Sequence, residues 1–538
     1  MVPSPRQLAR KLEDAAMVRS DAPVPPGNSE SQATEPDDRG TTGRTRGLWG
    51  FLSRLFSRTP EGIESTLEWL MRVSEKWEEK AAPSPSVIVA AGLVMEVMMH
   101  FGYREAAWRI GRWLQERQLP DGSLSESRAA EPVFSATAAA ARGWLAALPE
   151  LNQFEGAAQK ACVFLRQWVG EEGRLLPPRN RAWNYEPTTL FNEPPDLSPL
   201  LWAGRRWPDT DWTTVVLRAI DYWRHHGHRR VPAEQSSAIV RRAIFFLDWG
   251  HRQDAIPLVE KLDRRQTAAG AVPEQDNGSV ILLATVAQAA LLWFRMFNET
   301  RGEQAYRFVE KRRLPDGSFP RSARGTSEND REPDPLAAKY FLEATLWRVR
   351  CAYRGRIKNE EPLDAEDPRL LAVRSLVATM PQGSSLADLG CGTGRYLKFL
   401  SNWFPHHQWF GIDFVPEALR QVPRGIKTIE GNLLRIPVSD QSFHAVFSVD
   451  AVSHALLPRQ AVLEMARVIR PGGYILVIDR QQKSRSLGAD PWEQPVTAEQ
   501  IVDWLRPVAR QTKVQQFPIS AGTLGRTPYF AVLIQRGR

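Results

Sequence analysis

Two regimes of hydrophobic spacing divide the chain. From about residue 61 to 355, apolar positions recur three and four residues apart, the period of amphipathic helices. The segment "SATAAAARGWLAAL" (135–148) reads this way, as does "SVILLATVAQAALLWFRM" (279–296). The second is apolar nearly all round, which predicts burial on several sides. From about 366 the period changes. The helical run "PRLLAVRSLVATM" leads into the strand "SLADL", and short strands then alternate with helices. Further strands are expected at 408–413, 426–430, 443–449, 474–479, 512–517 and 528–535, with helices at 415–421, 459–469 and 497–505. Seven strands with helical crossovers predict a doubly wound α/β sheet, which binds its ligand beyond the carboxyl ends of its strands. Ahead of both regimes, residues 1–43 are rich in Pro, Ser, Gly, Asp and Arg without periodicity and are expected to be a disordered tail. Residues 44–60 form a basic segment. Leu48, Phe51, Leu52 and Leu55 make an apolar stripe flanked by Arg44, Arg46, Arg54 and Arg58. Such a stripe either lies in a membrane interface or docks on the following domain.

The helical region repeats. "WLQERQLPDGSL" (113–124), "FLRQWVGEEGRL" (164–175), "KLDRRQTAAGAV" (261–272) and "FVEKRRLPDGSF" (308–319) align on Gly122, Gly173, Gly270 and Gly317. Each glycine has an aliphatic residue eight positions earlier (Leu114, Leu165, Leu262, Val309) and a hydrophobic residue two positions later (Leu124, Leu175, Val272, Phe319). The pattern reads as a helix, a glycine turn that stops it, and a return helix. A degenerate copy at 222–232 and an earlier helix around Trp69 bring the count to six hairpins, enough for a double ring of helices. Gln118 to Gly122 and Gln266 to Gly270 share a Gln-x-x-x-Gly spacing. On these residues the region resembles the repeat of α/α-toroid proteins, the squalene cyclase and prenyltransferase architecture. The tryptophan that normally follows the glycine by two residues is replaced here by Leu, Val or Phe. The resemblance implies an (α/α)6-like toroid over 61–355 and, by itself, no particular activity. The acidic motif of triterpene cyclases is missing, as is a convincing zinc set of the protein prenyltransferases.

Composition changes the picture in three places. The 538 residues exceed one core. Three scattered cysteines, Cys162, Cys351 and Cys391, argue against disulfides or a zinc site and fit a reducing, cytoplasmic compartment; peripheral contact at the inner membrane face is one of the two readings of residues 44–58. The net charge of +8 permits an acidic partner without demanding one, and no specific nucleic acid binding is expected. Of 19 tryptophans, 15 precede residue 350. They either pack helices or line a groove that stacks on sugar rings. His225, His226 and His228 read as loop residues at a helix end rather than a metal site, and no metal is expected elsewhere.

The candidate chemistry lies in "LADLGCGTGRYLKFL" (386–400). Gly390, Gly392 and Gly394 give G-x-G-x-G rather than the dinucleotide spacing G-x-G-x-x-G, and Asp388 precedes them. A carboxylate there suits a ligand amino group, and the following helix N-terminus suits a ligand carboxylate. Asp413, at the end of the second strand, can accept bonds from ribose hydroxyls. With "SFHAVFS" (442–448) and "RPGG" (470–473) in order, residues 356–538 resemble the class I S-adenosylmethionine-dependent methyltransferases, most closely over 385–480. That resemblance implies S-adenosylmethionine as cofactor. It implies the methionine part on Asp388, Gly390, Cys391, Gly392 and Gly394, the ribose on Asp413, and the adenine beside Phe414, Asn432 and Leu433 over a floor at Ser448. Many relatives have Asp where Asn432 stands. Cys391 reads as a space-filler rather than a nucleophile.

Methyl transfer needs an aligned nucleophile and exclusion of water. His454 is the expected base or substrate contact, with Asp450 to orient it or bind substrate. The expected activity is O-methylation of a carbohydrate, or of another small-molecule or lipid-linked acceptor, selected by the helical domain. The alternatives are a bifunctional enzyme with a lyase, epimerase or cyclase site in the toroid, and a protein-binding helical scaffold with a S-adenosylmethionine-binding domain.

Overall fold

The computed structural model describes residues 60–79, 83–125, 133–148, 150–175, 196–226, 235–276, 278, 280–323, 328–357, 362–481, 490–520 and 526–537. The expected tail, the basic segment 44–58 and His228 lie outside these residues. The chain divides into two compact units, one from Ile63–Lys358 and one from Asn359–Ile436 and Asp440–Arg538.

The first unit is helical. We number its main described helices α1 (Pro60–Glu78), α2 (Pro85–His100), α3 (Arg104–Gln115), α4 (Phe134–Ala147), α5 (Glu155–Gln167), α6 (Ser198–Arg206), α7 (Trp212–His226), α8 (Ser236–Asp248), α9 (Arg252–Arg265), α10 (Leu283–Arg295), α11 (Glu299–Glu310) and α12 (Pro335–Arg356). The even-numbered helices pack in sequence, α2 on α4, α4 on α6, α8 on α10, α10 on α12, and α12 back on α2. Between α6 and α8, Ser198 Oγ donates to Asp248 Oδ2 at 3.2 Å. Helix α2 is apolar but for Ser86, Glu96 and His100, and its buried run Ala90–Met99 fits a position among other helices rather than at a surface.

The four aligned glycines have one job. Gly122, Gly173, Gly270 and Gly317 all sit at φ between 83° and 90°. In every turn the glycine N–H donates to the carbonyl three residues back, and that same residue's N–H bonds the carbonyl just after the glycine. A Cβ on these glycines would lie 2.0–2.2 Å from a carbonyl oxygen of Lys160 (α5), Arg218 (α7), Gln304 (α11) and Ser65 (α1) respectively. Each turn therefore presses backbone to backbone on the next odd-numbered helix, and the last reaches the first. The glutamines of the shared spacing fasten the same joint. Gln118 Nε2 donates to Ala157 O at 2.9 Å, and Gln266 Nε2 to Arg301 O at 3.0 Å, each near the start of the helix its turn abuts.

Most tryptophans of this unit are packing residues. Trp144 and Trp293 are fully buried, and their indole N–H groups reach Gly111 O at 3.0 Å and Asp263 Oδ1 at 2.7 Å. Trp202 and Trp347 are half-buried and lie under Arg142 and Arg295.

The second unit is a seven-stranded sheet in the order β3-β2-β1-β4-β5-β7-β6. The strands are β1 (Ser385–Leu389), β2 (Gln408–Asp413), β3 (Lys427–Glu430), β4 (Phe443–Val449), β5 (Ile469–Arg480), β6 (Ala509–Ser520) and β7 (Arg526–Arg536). The first five are parallel, and β7 inserts antiparallel between β5 and β6. Helices α13 (Pro368–Val377), α14 (Arg395–Trp403), α15 (Pro458–Val468) and α16 (Ala498–Leu505) accompany it. The residues "RPGG", just ahead of the expected strand 474–479, are part of a longer β5. Gly472 takes φ 79° and the register slips at Phe443/Ala445, so these residues become an irregularity within the strand. Chain order reverses between β1 and β4, which places the switch point beside the glycine turn.

Gly250 has φ 78° and open space around its missing Cβ, so Gly250→Ala should cost only the left-handed penalty, about 1–2 kcal/mol. Gly317→Ala adds an overlap with Ser65 O and should cost clearly more, read as the difference between the two variants in denaturant unfolding.

Candidate functional site

The carboxyl ends of β1, β2 and β4 meet at one place. Gly390, Gly392 and Gly394 have φ of 79°, 54° and 81°, a run that side chains would strain. At Gly390 an added Cβ would lie 2.5 Å from Ala451 Cβ, so the loop after β4 sits directly on the glycine turn. Gly394 is the N-cap of α14, whose first-turn N–H groups open toward the turn.

Asp413 is the tether of this turn. Its Oδ2 accepts from Gly392 N at 2.9 Å and its Oδ1 from Val415 N at 2.9 Å, and the residue is buried. The sequence pointed to Asp413 for ribose binding and missed this structural role. Asp388 is buried in β1 with Gly411 of β2 and Phe447 of β4 as its neighbours across the sheet. Gly390 and Cys391 N–H groups both donate to Ile412 O, at 2.8 and 3.1 Å.

Three expected contacts carry duties of their own. Cys391 Sγ fills the space at Gly411, where a Cβ would come within 3.0 Å of it. Ser448 is fully buried and spends its hydroxyl on Leu389 O at 2.9 Å, tying β4 to β1. Asn432 Oδ1 accepts from Leu434 N at 2.7 Å and Arg435 N at 3.0 Å, which builds the turn after β3. Its amide nitrogen is the part suited to a base edge, so it would meet an acceptor atom of adenine rather than the exocyclic amine. Leu433 Cδ1 lies 4.0 Å from the Cβ position of Gly390, while Phe414 is half-buried one residue past β2.

The loop after β4 is strained and charged. Asp450 holds φ 54°, a rare conformation for a residue other than glycine. Its Oδ2 takes Arg369 Nη1 at 2.6 Å and Tyr529 O–H at 3.2 Å, and Arg480 stands 3.7 Å from Oδ1. Burial pushes the Tyr529 phenol up to about 12, with the Asp450 charge adding to the rise. Arg369 comes from α13, anchored by the Asp367 N-cap, and no sequence motif marked it. Asp479 is buried beneath the loop and accepts from Ser453 N at 2.9 Å and Ser453 Oγ at 2.8 Å. Burial and then the Asp450 charge raise its pKa. His454 lies in the same loop, with Nδ1 3.9 Å from Glu493 Oε2. Asp450 and His454, expected as neighbours, do share the loop, but the carboxylate of Asp450 is engaged by Arg369 and Tyr529 instead of orienting the imidazole.

Residues 387–477 match the family model described as a methyltransferase domain. A similar protein is "Probable tRNA methyltransferase 9B" of Bos taurus, 29% identical over 26% of this chain and 32% of its own length. Another is the 2-methyl-6-phytyl-1,4-hydroquinone methyltransferase of a Synechocystis strain, 30% identical over 24% of this chain and 42% of its own. The Fatty-acid O-methyltransferase of Mycolicibacterium smegmatis is 32% identical over 19% and 39%. This chain thus spans less than half the length of these curated relatives. Among solved structures, the YcgJ protein of a Bacillus matches at 16% identity and a TM-score of 0.27, covering 32% of this chain and 99% of that one. The C-terminal unit is a class I S-adenosylmethionine-dependent methyltransferase domain, and S-adenosylmethionine is its cofactor.

Asp413→Ala removes a charged acceptor from the Gly392 and Val415 amides and, on the expected site, from the ribose. Hydrogen bonds to charged groups are worth about 1.5–3 kcal/mol, so calorimetry should show S-adenosylmethionine affinity falling by about tenfold to a hundredfold.

Proposed function

We propose that the chain is an O-methyltransferase acting on a small-molecule or lipid-linked acceptor, with the helical unit, read as an (α/α)6-like toroid, selecting that acceptor. The observation that carries the proposal is the acceptor end of the sheet. Among the described residues, Asp450, Asp479, Asp490 and Glu493 gather there with His454, against the cations Arg369 and Arg480. An excess of carboxyl groups among the described residues disfavours a phosphate backbone there. It therefore speaks for a neutral or hydroxylated acceptor, although some relatives are named for tRNA. The quinol and fatty-acid acceptors in the names of other relatives are in keeping with this choice. A carbohydrate acceptor, the first expectation, rested on tryptophans as stacking platforms. Their burial among helices removes much of that support.

In this reading the glycine turn and Asp413 hold the cofactor, whose sulfonium carries its own leaving group. The chain's task is to align the acceptor oxygen with the methyl group and exclude water. Arg369 and Tyr529 fix Asp450 at the mouth of the turn, and His454 handles the acceptor hydroxyl.

A second reading has one observation behind it. Within the helical unit, Arg142 Nη2 bonds Glu96 at 2.8 Å, Arg295 pairs with Asp248 at 2.7 Å, and Lys339 pairs with Glu343 at 2.8 Å and Glu96 at 3.5 Å. These groups come from α2, α4, α8, α10 and α12 and are largely buried, with the half-buried Trp202 and Trp347 beside them. Neighbouring cations hold Glu96 below the usual carboxylate range despite its burial, while burial raises Glu343. Such a set is costly as packing alone and favours a second, polar site in this unit.

Labelled S-adenosylmethionine incubated with fractionated lipids, small molecules, glycans and RNA tests the first reading. Label is expected in lipid or small-molecule fractions, and label confined to RNA overturns it. His454→Asn should lower kcat by about a hundredfold or more while S-adenosylmethionine affinity stays put. For the second reading, Glu343→Gln should abolish a product that Asp413→Ala leaves intact, and a single product lost in Asp413→Ala alone rejects it.

A further inference from the structure

Tyr396 is the second residue of α14, just past the N-cap Gly394 that closes the glycine turn. It is 6% exposed and belongs to the same core as Leu370 of α13 and Tyr529 of β7. Its hydroxyl is buried and makes no hydrogen bond among the described residues. On the other side of the turn, Asp450 follows β4, one residue before the Ala451 against which Gly390 is pressed. Its Oδ2 is taken by Arg369 and Tyr529. Its Oδ1 is also buried, with the Arg480 ion pair at 3.7 Å but no hydrogen bond among the described residues. Burial pushes the Tyr396 phenol far above its usual range; the Arg369 charge opposes the rise, and those of Asp367 and Asp450 add to it. The phenol therefore stays a neutral hydroxyl in the field of the Asp450 carboxylate.

A buried hydroxyl without a hydrogen bond costs the ligand-free fold stability. Phenylalanine would fill the same space without that cost. The orphan hydroxyl, together with the strained φ of Asp450, points to a ligand that completes both groups. Asp450 Oδ1 lacks a donor, and the phenol lacks a polar partner. Strand order decides which part of the cofactor supplies them. In the sheet, β2 and β3 lie on one side of β1, and β4, β5 and β7 on the other. Ribose and adenine are expected at Asp413, Phe414 and Asn432, on the β2–β3 side. Asp450 stands on the β4 side, and Tyr396 shares its core with Tyr529 of β7. The amino acid end of the cofactor is the part that remains for this side, and its ammonium group is the donor there.

We propose that Asp450 Oδ1 and Tyr396 Oη receive the ammonium group of the cofactor's methionine part. The proposal rests on the expected placement of the ribose at Asp413. The family resemblance put the methionine part on Asp388 and the glycine turn, and neither of these two side chains was in that set. The carboxylate oxygen and the phenol oxygen each accept one N–H. The phenol's own proton is then available to the ligand carboxylate, which the N-terminus of α14 is suited to take. Arg369 and Tyr529 act as positioning residues, because by occupying Oδ2 they leave Oδ1 as the oxygen for the ligand.

The test is calorimetry of the full chain with two probes. S-adenosylhomocysteine carries the amino acid part, and 5′-methylthioadenosine has the ribose and adenine without it. Wild type, Tyr396→Phe and Asp450→Asn are compared, with thermal unfolding of the same samples free of ligand. Each variant is expected to bind S-adenosylhomocysteine weaker by about tenfold or more, and methylthioadenosine within about twofold of wild type. Tyr396→Phe should unfold at a temperature no lower than wild type, since it removes a hydroxyl that has no partner in the ligand-free fold. Unchanged S-adenosylhomocysteine affinity in Tyr396→Phe overturns the proposal. So does an equal loss of both probes, or a lower unfolding temperature of ligand-free Tyr396→Phe, either of which marks a structural hydroxyl. A wild type that binds neither probe strikes the cofactor placement itself and the proposal with it, an outcome distinct from binding that the variants leave unchanged.

Discussion

The carboxylate of Asp413 is the constraint on which the cofactor end depends. One oxygen accepts from Gly392 in the turn after β1, and the other from Val415 in the turn after β2. Two adjacent turns are thereby locked to one charged side chain at the switch point of the sheet. The glycines can then hold positive φ without their own side chains to fix them, and Gly390 leaves room for the loop after β4 to close on the turn. The strained Asp450 in that loop is held in turn by Arg369 and Tyr529, which reach it from α13 and β7. The glycine turn and the loop after β4 thus meet directly, Gly390 against Ala451.

The helical unit follows a different rule, repetition of one joint. Each aligned glycine lets a turn touch the carbonyl edge of the next odd-numbered helix, and Gly317 applies the same joint to the first helix. A contact of two backbones at that distance tolerates no Cβ. The glycines therefore persist across repeats in which almost every other position varies.

Much of this was legible. Strand positions in the second unit followed from the change in hydrophobic period, and the glycine spacing with Asp388 and Asp413 singled out the cofactor. The repeat glycines were visible because a backbone conformation demands one residue type. What stayed hidden depends on contacts between distant residues. The antiparallel β7 reads like any other buried strand, since alternation says nothing of direction. Arg369 has no motif, and its role arises only when α13 folds onto the loop after β4. The tryptophans misled because an aromatic stripe looks the same whether it faces a sugar or a neighbouring helix. Asn432 was expected to face the ligand, but its carbonyl oxygen first serves its own turn.

The central claim is that Asp413 builds the cofactor turn before any ligand arrives. Amide hydrogen exchange at Gly392 in the ligand-free full chain tests it most directly. The account predicts a protected amide in wild type that becomes fast-exchanging in Asp413→Ala. An amide already exposed in wild type, and protected only on addition of S-adenosylmethionine, would contradict it.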